Sequence, residues 1–158
     1  MTPWEIAKPE SESAHQKALF AWAAIAERRG FEAAWNPESY KTPPDVTAWP
    51  VPELCWLHAI PNGGARNAIT AGRMKAEGVK KGVPDIFLPL PVANSPTREF
   101  IVLAGLYIEM KKPTKGRTSE KQNEFITYAN NIGYKAVVCR SWEDAAKAIQ
   151  KYIYVARV

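Results

Sequence analysis

Hydrophobic residues recur at helical and strand spacings along most of the chain and predict seven main elements. Apolar positions that return every three or four residues predict helices at residues 11–29, 118–131 and 142–152, with a shorter helix possible at 65–77. Runs rich in β-branched and aromatic residues predict strands at residues 54–60, 83–90, 98–110 and 134–139. Ser11 is a suitable N-cap for the first helix and Gly30 a suitable stop, and the 98–110 run indicates one long, buried, central strand with a bend at Gly105.

The order of these elements, α-β-β-β-α-β-α, predicts an α/β fold with a mixed sheet flanked by helices. The strand, helix and strand between residues 106 and 139 predict a parallel pair, and the shorter connections before them predict antiparallel neighbours. Five prolines within residues 37–52 exclude a helix or a central strand there. We therefore expect a leader at 1–10, a single domain at 11–153 with a proline-rich insertion at 37–53, and a tail at 154–158.

The length of 158 residues suits one domain, and the charge is uneven along it. The chain has 21 Lys and Arg against 16 Asp and Glu, a formal net charge of +5. Between Arg66 and Lys121 lie 11 basic and 5 acidic residues, so the whole surplus falls in the middle of the chain. A cluster of basic residues can simply form a solvated face of the protein, or it can bind phosphates of a nucleic acid. The charge alone leaves both interpretations open.

The sequence shows no sign of export or of a membrane span. The N-terminus lacks the basic and apolar regions of a signal peptide, and the uncharged run at residues 86–97 is 12 residues long. A span needs about 20 apolar residues. Cys55 and Cys139 form no CxxC pair, so we expect reduced thiols, no structural zinc and a cytoplasmic location.

Two carboxylates and a lysine are the main candidates for chemistry. Glu109 and Lys111 are two residues apart on a predicted strand, so both project from one face while residues 108 and 110 project from the other. A surface ion pair at a strand end would have the same spacing. Asp85 precedes another predicted strand, and neighbouring strands lie about 4.8 Å apart. Asp85 and Glu109 could therefore converge on one hard cation such as Mg²⁺, with Lys111 beside it.

These three residues, with Pro84 before the aspartate, resemble the catalytic core of the PD-(D/E)xK nuclease superfamily. Further motifs resemble those of the VRR-NUC domain in order and spacing, and the resemblance spans roughly residues 11–145. They are Glu12 and Gln16 on the first helix, HAIPNGGAR at 58–66, GRMKAEGVKKGVPD at 72–85, GLYIEMK at 105–111 and SEKQ at 119–122. The resemblance implies a restriction-endonuclease-like fold and a phosphodiesterase that hydrolyses DNA with Mg²⁺ or Mn²⁺.

The resemblance also implies roles for the matching residues. Asp85 and Glu109 would be metal ligands, the Met110 carbonyl a further ligand, and Lys111 the catalytic lysine.

Two more distant residues would complete the site. Glu12 on the first helix would finish the metal shell, although Glu10 is close enough to be the alternative. A glutamate in a first helical turn is also simply favoured by the helix dipole. Gln122, one helix later, would position the catalytic lysine or the attacking water.

Basic residues on both sides of these motifs are the candidate DNA contacts, since Lys and Arg bind phosphates without reading sequence. They are Arg66, Arg73, Lys75, Lys80, Lys81, Lys112, Lys115 and Arg117, with Asn62 in the Asn-Gly-Gly turn as a further candidate. With the nuclease motifs present, we favour the phosphate-binding surface over the solvated face.

The sequence says less about the roles of the histidines and of several tryptophans. His15 is expected on a helix surface and His58 as a hydrogen-bonding residue at a strand end, because neither has a partner at ligand spacing. Trp35, Trp49 and Trp56 bracket the insertion, which could form a flap that covers a partner or stacks on bases.

Stand-alone VRR-NUC proteins are similar in size to this chain and tend to be homodimers that act on four-way junctions. The resemblance therefore implies a dimeric endonuclease for branched DNA, of phage or bacterial type. One alternative is a non-catalytic nucleic-acid-binding module with the same fold, which would have no reason to keep carboxylates that repel DNA. Another is a sequence-specific restriction-type nuclease, which would need a larger recognition region than the insertion offers.

Overall fold

The computed structural model describes residues 1–41, 49–61, 68–93 and 101–157, with the backbone alone for residues 68–71. Its helices are α1 (Pro3–Ala7), α2 (Glu12–Trp35), α3 (Ala68–Ala76), α4 (Glu120–Asn131) and α5 (Trp142–Arg157). Its strands are β1 (His58–Ala59), β2 (Ile86–Leu88), β3 (Val92–Ala93), β4 (Ile101–Leu103), β5 (Leu106–Met110) and β6 (Lys135–Cys139). Short 3-10 helices lie at Pro37–Tyr40 and Pro52–Trp56. No described helix is long and apolar enough to cross a membrane.

Four strands form the central sheet in the order β1-β2-β5-β6, and β3 pairs with β4 in a separate two-stranded sheet. β2 runs antiparallel to β1 and β5, whereas β5 and β6 are parallel. The predicted α/β class, the mixed sheet flanked by helices and the parallel pair are confirmed. β5 has a neighbour on each side and is almost entirely buried, as predicted for the central strand.

The prediction of one strand over residues 98–110 is wrong. Its described part divides at residues 104–105 into β4, in the two-stranded sheet, and β5, in the central sheet. Gly105 lies so close to β2 that a Cβ there would be 2.6 Å from the Phe87 ring. The chain therefore passes from one sheet into the other at this glycine, and β3 forms between the two strands predicted at 83–90 and 98–110.

Other element boundaries also differ from the predictions. α2 does not stop at Gly30, which has φ +84 and forms a kink, and the helix continues for five more residues. A Cβ on Gly30 would lie 2.4 Å from the Trp49 carbonyl oxygen, so the described end of the proline-rich insertion packs into the kink. The predicted strand at 54–60 is mainly a 3-10 helix that leaves only β1, α5 runs on to Arg157, and α1 forms before residue 11.

One face of the central sheet packs against α2 and α5 and forms the main core. β5 contributes Ile108 and Met110 to it, on the face that the strand alternation predicted. α5 contributes residues at helical spacing, among them Trp142, Ala146 and Ile149.

The opposite face of the sheet is aromatic and lies against α4. Phe87 stacks on Tyr107 with ring centroids 4.4 Å apart, and Phe125 of α4 packs edge-on against Tyr107 at 5.1 Å. Glu109 follows Tyr107 on this face, and Gln122 precedes Phe125 by three residues on the same side of α4. The packing of α4 therefore brings Gln122 over Glu109.

Candidate active site

The candidate site lies where β2 begins and β5 ends. These strands are antiparallel, and continuing their register past β2 places Asp85 opposite Glu109 and Pro84 opposite Met110. Lys111 donates its N–H to β6, so the backbone groups of Met110 face β2. In a regular antiparallel ladder the Met110 carbonyl would accept from the N–H of residue 84, and proline has no N–H. Pro84 therefore ends the ladder and cannot supply a donor to the Met110 carbonyl.

The Asp85 carboxylate serves as the acceptor for the backbone N–H of Met110. Met110 N–H donates to Asp85 Oδ2 at 2.8 Å. On its other side, the Asp85 carbonyl accepts from the Ile60 N–H at 2.7 Å. Asp85 is thus fixed through its backbone by the segment after β1 and through its carboxylate by β5.

Glu109 is buried, with 1% of its surface exposed, and its Oε1 accepts from two side chains. Lys111 Nζ lies 2.8 Å from Oε1, and Gln122 Nε2 donates to the same oxygen. Lys111 is itself buried, which excludes the surface ion pair that the sequence left open. Oε2 of Glu109 is buried and has no hydrogen-bond partner among the described residues.

The orientation of the Gln122 amide follows from the start of α4. Ser119 is the N-cap: its Oγ accepts from Gln122 N–H at 3.3 Å, and Gln122 Oε1 accepts from Ser119 N–H at 2.8 Å. Because the cap uses the amide oxygen, the amide NH₂ group faces Glu109. The resemblance implied that Gln122 positions Lys111 or a water molecule. In the structure Gln122 donates instead to the Glu109 oxygen that Lys111 also contacts.

Burial raises the pKa of Glu109 from its ordinary value of 4.5 to about 7. The hydrogen bond from Lys111 and its charge oppose this rise, whereas the negative charges of Asp85 and Glu12 add to it. The three carboxylates are therefore within electrostatic reach of one another. The single Lys111 ammonium does not balance them.

Glu12 reaches the site from the first turn of α2. Its Oε1 accepts from the Lys112 N–H at 3.4 Å, a long contact just past the end of β5. Glu10, the alternative carboxylate, is exposed and precedes α2 with φ +54. The geometry therefore favours Glu12 over Glu10 as the third carboxylate.

The chemistry of these donors fits a hard divalent cation. The described residues contain no group of three His, Cys, Asp or Glu side chains that could hold a metal ion as they stand. Asp85 and Glu12 each accept from a backbone N–H instead. Glu109 Oε2, however, is buried without a donor, and two more carboxylates add charge beside it. Oxygen ligands of this kind suit Mg²⁺ and Mn²⁺, and a cation would relieve both the unpaired oxygen and the excess charge.

The basic residues predicted to contact DNA are exposed wherever the structure describes them. They are Arg73 and Lys75 on α3, Lys80 and Lys81 before β2, and Lys112, Lys115 and Arg117 after β5. The loop before β2 packs on the start of α4, since a Cβ on Gly82 would lie 2.6 Å from the Lys121 carbonyl oxygen. The loops before β2 and after β5 therefore both meet α4. Asn62 and Arg66 lie outside the described residues.

The expectation for His15 is wrong. It is buried between α2 and α5, where its Nδ1 accepts the first N–H of α5 at 3.2 Å. His58 contacts a backbone carbonyl through Nδ1 at 2.8 Å at the edge of the sheet, as predicted. Around the insertion, Trp35 stacks into the core, whereas Trp49 and Trp56 are largely exposed and their role stays a prediction.

Comparison with known proteins identifies the family of this site. The family model of the VRR-NUC domain matches residues 28–143. The chain belongs to the VRR-NUC family. A solved structure described as a "VRR_NUC domain protein" shares the fold with a TM-score of 0.61 at 22% identity, over 92% of this chain and 90% of that one. No curated protein matches the chain. VRR-NUC domains form a nuclease family, which makes DNA the substrate class.

The VRR-NUC match contains most of the candidate site. Asp85, Glu109, Lys111 and Gln122 lie within the matched residues, whereas Glu12 precedes them. One further residue lies near the site: Arg140, directly after β6. Arg140 belongs to no motif, but the parallel pairing of β6 with β5 brings it to the end of β5. Because that parallel pair is predicted from the sequence, the position of Arg140 directly after the strand is the signal that could have found it.

Proposed function

We propose that this VRR-NUC protein is an endonuclease that hydrolyses DNA phosphodiester bonds with Mg²⁺ or Mn²⁺ and acts on four-way junctions or other branched DNA. The observation that carries the proposal is the buried Glu109. Its Oε1 is held by Lys111 and Gln122, and its Oε2 has no partner among the described residues. A buried carboxylate in this condition is costly unless it serves a ligand.

The carboxylates would bind the metal ion. Glu109, Asp85 and Glu12 supply oxygen ligands, and the Met110 carbonyl, which Pro84 leaves without a ladder donor, is a fourth. A bound Mg²⁺ or Mn²⁺ would offset charge on a phosphate oxygen and lower the pKa of a water molecule.

The other site residues hold and balance this arrangement. Lys111 stays beside Glu109 and offers a positive charge to the phosphate as negative charge develops in the transition state. Gln122 fixes which oxygen of Glu109 remains available, because its NH₂ group occupies Oε1. The exposed basic residues of the loops that meet α4 would bind neighbouring phosphates.

We further propose that residues 11–153 act as one domain, that two copies pair as a homodimer in the bacterial or phage-infected cytoplasm, and that each copy cuts one strand of a junction. Exposed apolar side chains support self-association: Tyr128 on α4 and Ile132, directly after this helix, are both at least half exposed. Light scattering of the purified protein at several concentrations tests this, and a monomer at all of them would contradict it.

Cleavage of a panel of labelled DNAs tests the enzymatic proposal. A four-way junction, a flap, a linear duplex and a single strand are incubated with Mg²⁺, Mn²⁺ or EDTA. We expect cutting that needs the metal, prefers the branched substrates and disappears in Asp85→Ala. Lys147→Ala, at an exposed lysine of α5, is the control and should cut normally.

Two outcomes would overturn the proposal. Cutting that persists in Asp85→Ala, with Lys147→Ala unchanged, would remove the carboxylate from the reaction. Tight DNA binding without cutting in any metal would instead support the non-catalytic module.

A further inference from the structure

The segment that leaves β5 next to the candidate site is strongly basic. Residues 111–119 contain four basic residues and no acidic one. Three of the four, Lys112, Lys115 and Arg117, are exposed, and they lie in what we call the exit loop, residues 112–117. The shape of this loop therefore decides where three positive charges stand.

The exit loop folds tightly back onto the end of β5. A Cβ on Gly116 would lie 2.8 Å from both the nitrogen and the carbonyl oxygen of Lys112, and 3.0 Å from the Cβ of Lys111. Only glycine allows this approach. The loop is thus packed against the proposed catalytic lysine instead of extending away from it.

The backbone of the exit loop is strained at its turn. Lys115 has φ +62, in the left-handed region that non-glycine residues rarely adopt. Such a conformation is disfavoured for residues other than glycine and persists only where neighbouring contacts enforce it. A contact from outside the loop therefore adds to what holds this shape.

Arg140 makes that contact. Its Nη1 donates to the Gly116 carbonyl at 2.7 Å. The pairing of Met110 with Cys139 sets Arg140 beside the strand end, and the Arg140 N–H donates to Asp144 Oδ2 at 3.4 Å. A guanidinium has five N–H donors, so one can hold the loop while others face solvent.

We propose that Arg140 is a positioning residue for DNA: it locks the exit loop in a preformed shape that presents Lys112, Lys115 and Arg117 together to the phosphate backbone beside the cleaved bond. This inference rests on the proposed function, since it assigns part of the DNA-binding surface of the same site. Its distinctive consequence is that the loss of Arg140 removes more phosphate contacts than its own charge could make.

The test measures DNA affinity at several salt concentrations by fluorescence anisotropy, with a labelled duplex in EDTA so that no cutting occurs. Each phosphate contact contributes about 0.9 to the slope of log affinity against log salt. We expect Lys115→Gln to reduce the slope by about 1 and Arg140→Gln by about 2 or more. Lys135→Gln, which removes an exposed charge at the opposite end of β6, is the matched control and should leave the slope unchanged.

The double variant Arg140→Gln/Lys115→Gln separates positioning from simple charge. If Arg140 acts through the loop, the double variant has the slope of Arg140→Gln alone, because the Lys115 contact is already lost. Additive effects, or a reduction of about 1 or less for Arg140→Gln, would overturn the proposal.

The same titrations, together with the cleavage of the labelled DNA panel, distinguish this inference from the proposed function. If the wild type binds and cuts DNA but Arg140→Gln behaves like Lys135→Gln, only the positioning role fails. If the wild type does not bind DNA even at low salt, the DNA-binding function and the positioning role both fail. A faster tryptic cut within the exit loop of Arg140→Gln, without DNA, would support the contact that holds the loop.

Discussion

Replacing Glu109 by glutamine should make the metal-free protein more stable at neutral and alkaline pH. The amide oxygen can still accept from Lys111 and Gln122, while the cost of burying a negative charge, one oxygen of which has no partner among the described residues, is removed. The sign follows from the raised pKa of Glu109, about 7 against an ordinary 4.5. Between these values the folded state binds more protons than the unfolded state, so the wild type loses stability as pH rises through this window.

The size of the effect follows from the same numbers. One pKa unit corresponds to about 1.4 kcal/mol, so a rise from 4.5 to about 7 sets a ceiling of about 3 kcal/mol on the gain. We expect Glu109→Gln to be about 1–3 kcal/mol more stable than the wild type at pH 8 and within about 1 kcal/mol of it at pH 5.

Urea unfolding in EDTA at pH 5, 6, 7 and 8 measures this difference. Adding Mg²⁺ or Mn²⁺ should then stabilise the wild type and leave Glu109→Gln unchanged, since the variant lacks the anionic ligand. A variant that is less stable than the wild type at pH 8, or a difference that does not change with pH, would refute the reasoning.

Three other substitutions probe the framework of the site. In urea unfolding, Gly82→Ala should cost about 1–3 kcal/mol more stability than Gly133→Ala, because both glycines have positive φ but only a Cβ at residue 82 would clash with α4. Equal losses would contradict this packing. Gln122→Glu should lower the melting temperature at pH 8 and leave it close to that of the wild type at pH 5, since it sets a further carboxylate directly against Glu109 Oε1. A loss that is the same at both pH values would contradict this. Asn130→Ala should cost about 1–2 kcal/mol of stability and promote association detected by light scattering, because the Asn130 amide pairs with both outward backbone groups of Ala136 on the edge strand β6. Unchanged stability would show that Asn130 does not protect this edge.

The local parts of the site could be predicted from the sequence. The alternation along β5 placed Glu109 and Lys111 on one face, and the helix predicted at residues 118–131 placed Ser119 and Gln122 in its first turn. These predictions succeed because both depend on spacings within one element.

The parts that depend on tertiary contacts could not be predicted. The break at Gly105 follows from the Phe87 ring on the neighbouring strand, and the kink at Gly30 follows from the approach of Trp49. The run of residues 100–108 contains no charged side chain on either side of Gly105, and Gly30 has the sequence signature of a helix stop, so the sequence pattern shows neither the change of sheet nor the continued helix. The docking of Arg140 on the exit loop likewise needs the β5–β6 register.

The burial of Glu109 also lay beyond the sequence. A Glu-x-Lys pair followed by several basic residues has the composition of a strand end in solvent. It is buried because Phe125 of α4 packs on Tyr107 and carries Gln122 over the carboxylate. The unpaired Oε2, which is the strongest sign of a ligand, is a consequence of this packing.

The most direct test of the central claim is the single-turnover cleavage rate of Lys111→Met on a labelled four-way junction with Mg²⁺, measured beside its DNA affinity. If the buried lysine stabilises the charge of the reacting phosphate, the rate falls by about a hundredfold or more while the affinity changes by less than about threefold. A rate within about threefold of the wild type would contradict the assignment of this site to the reaction.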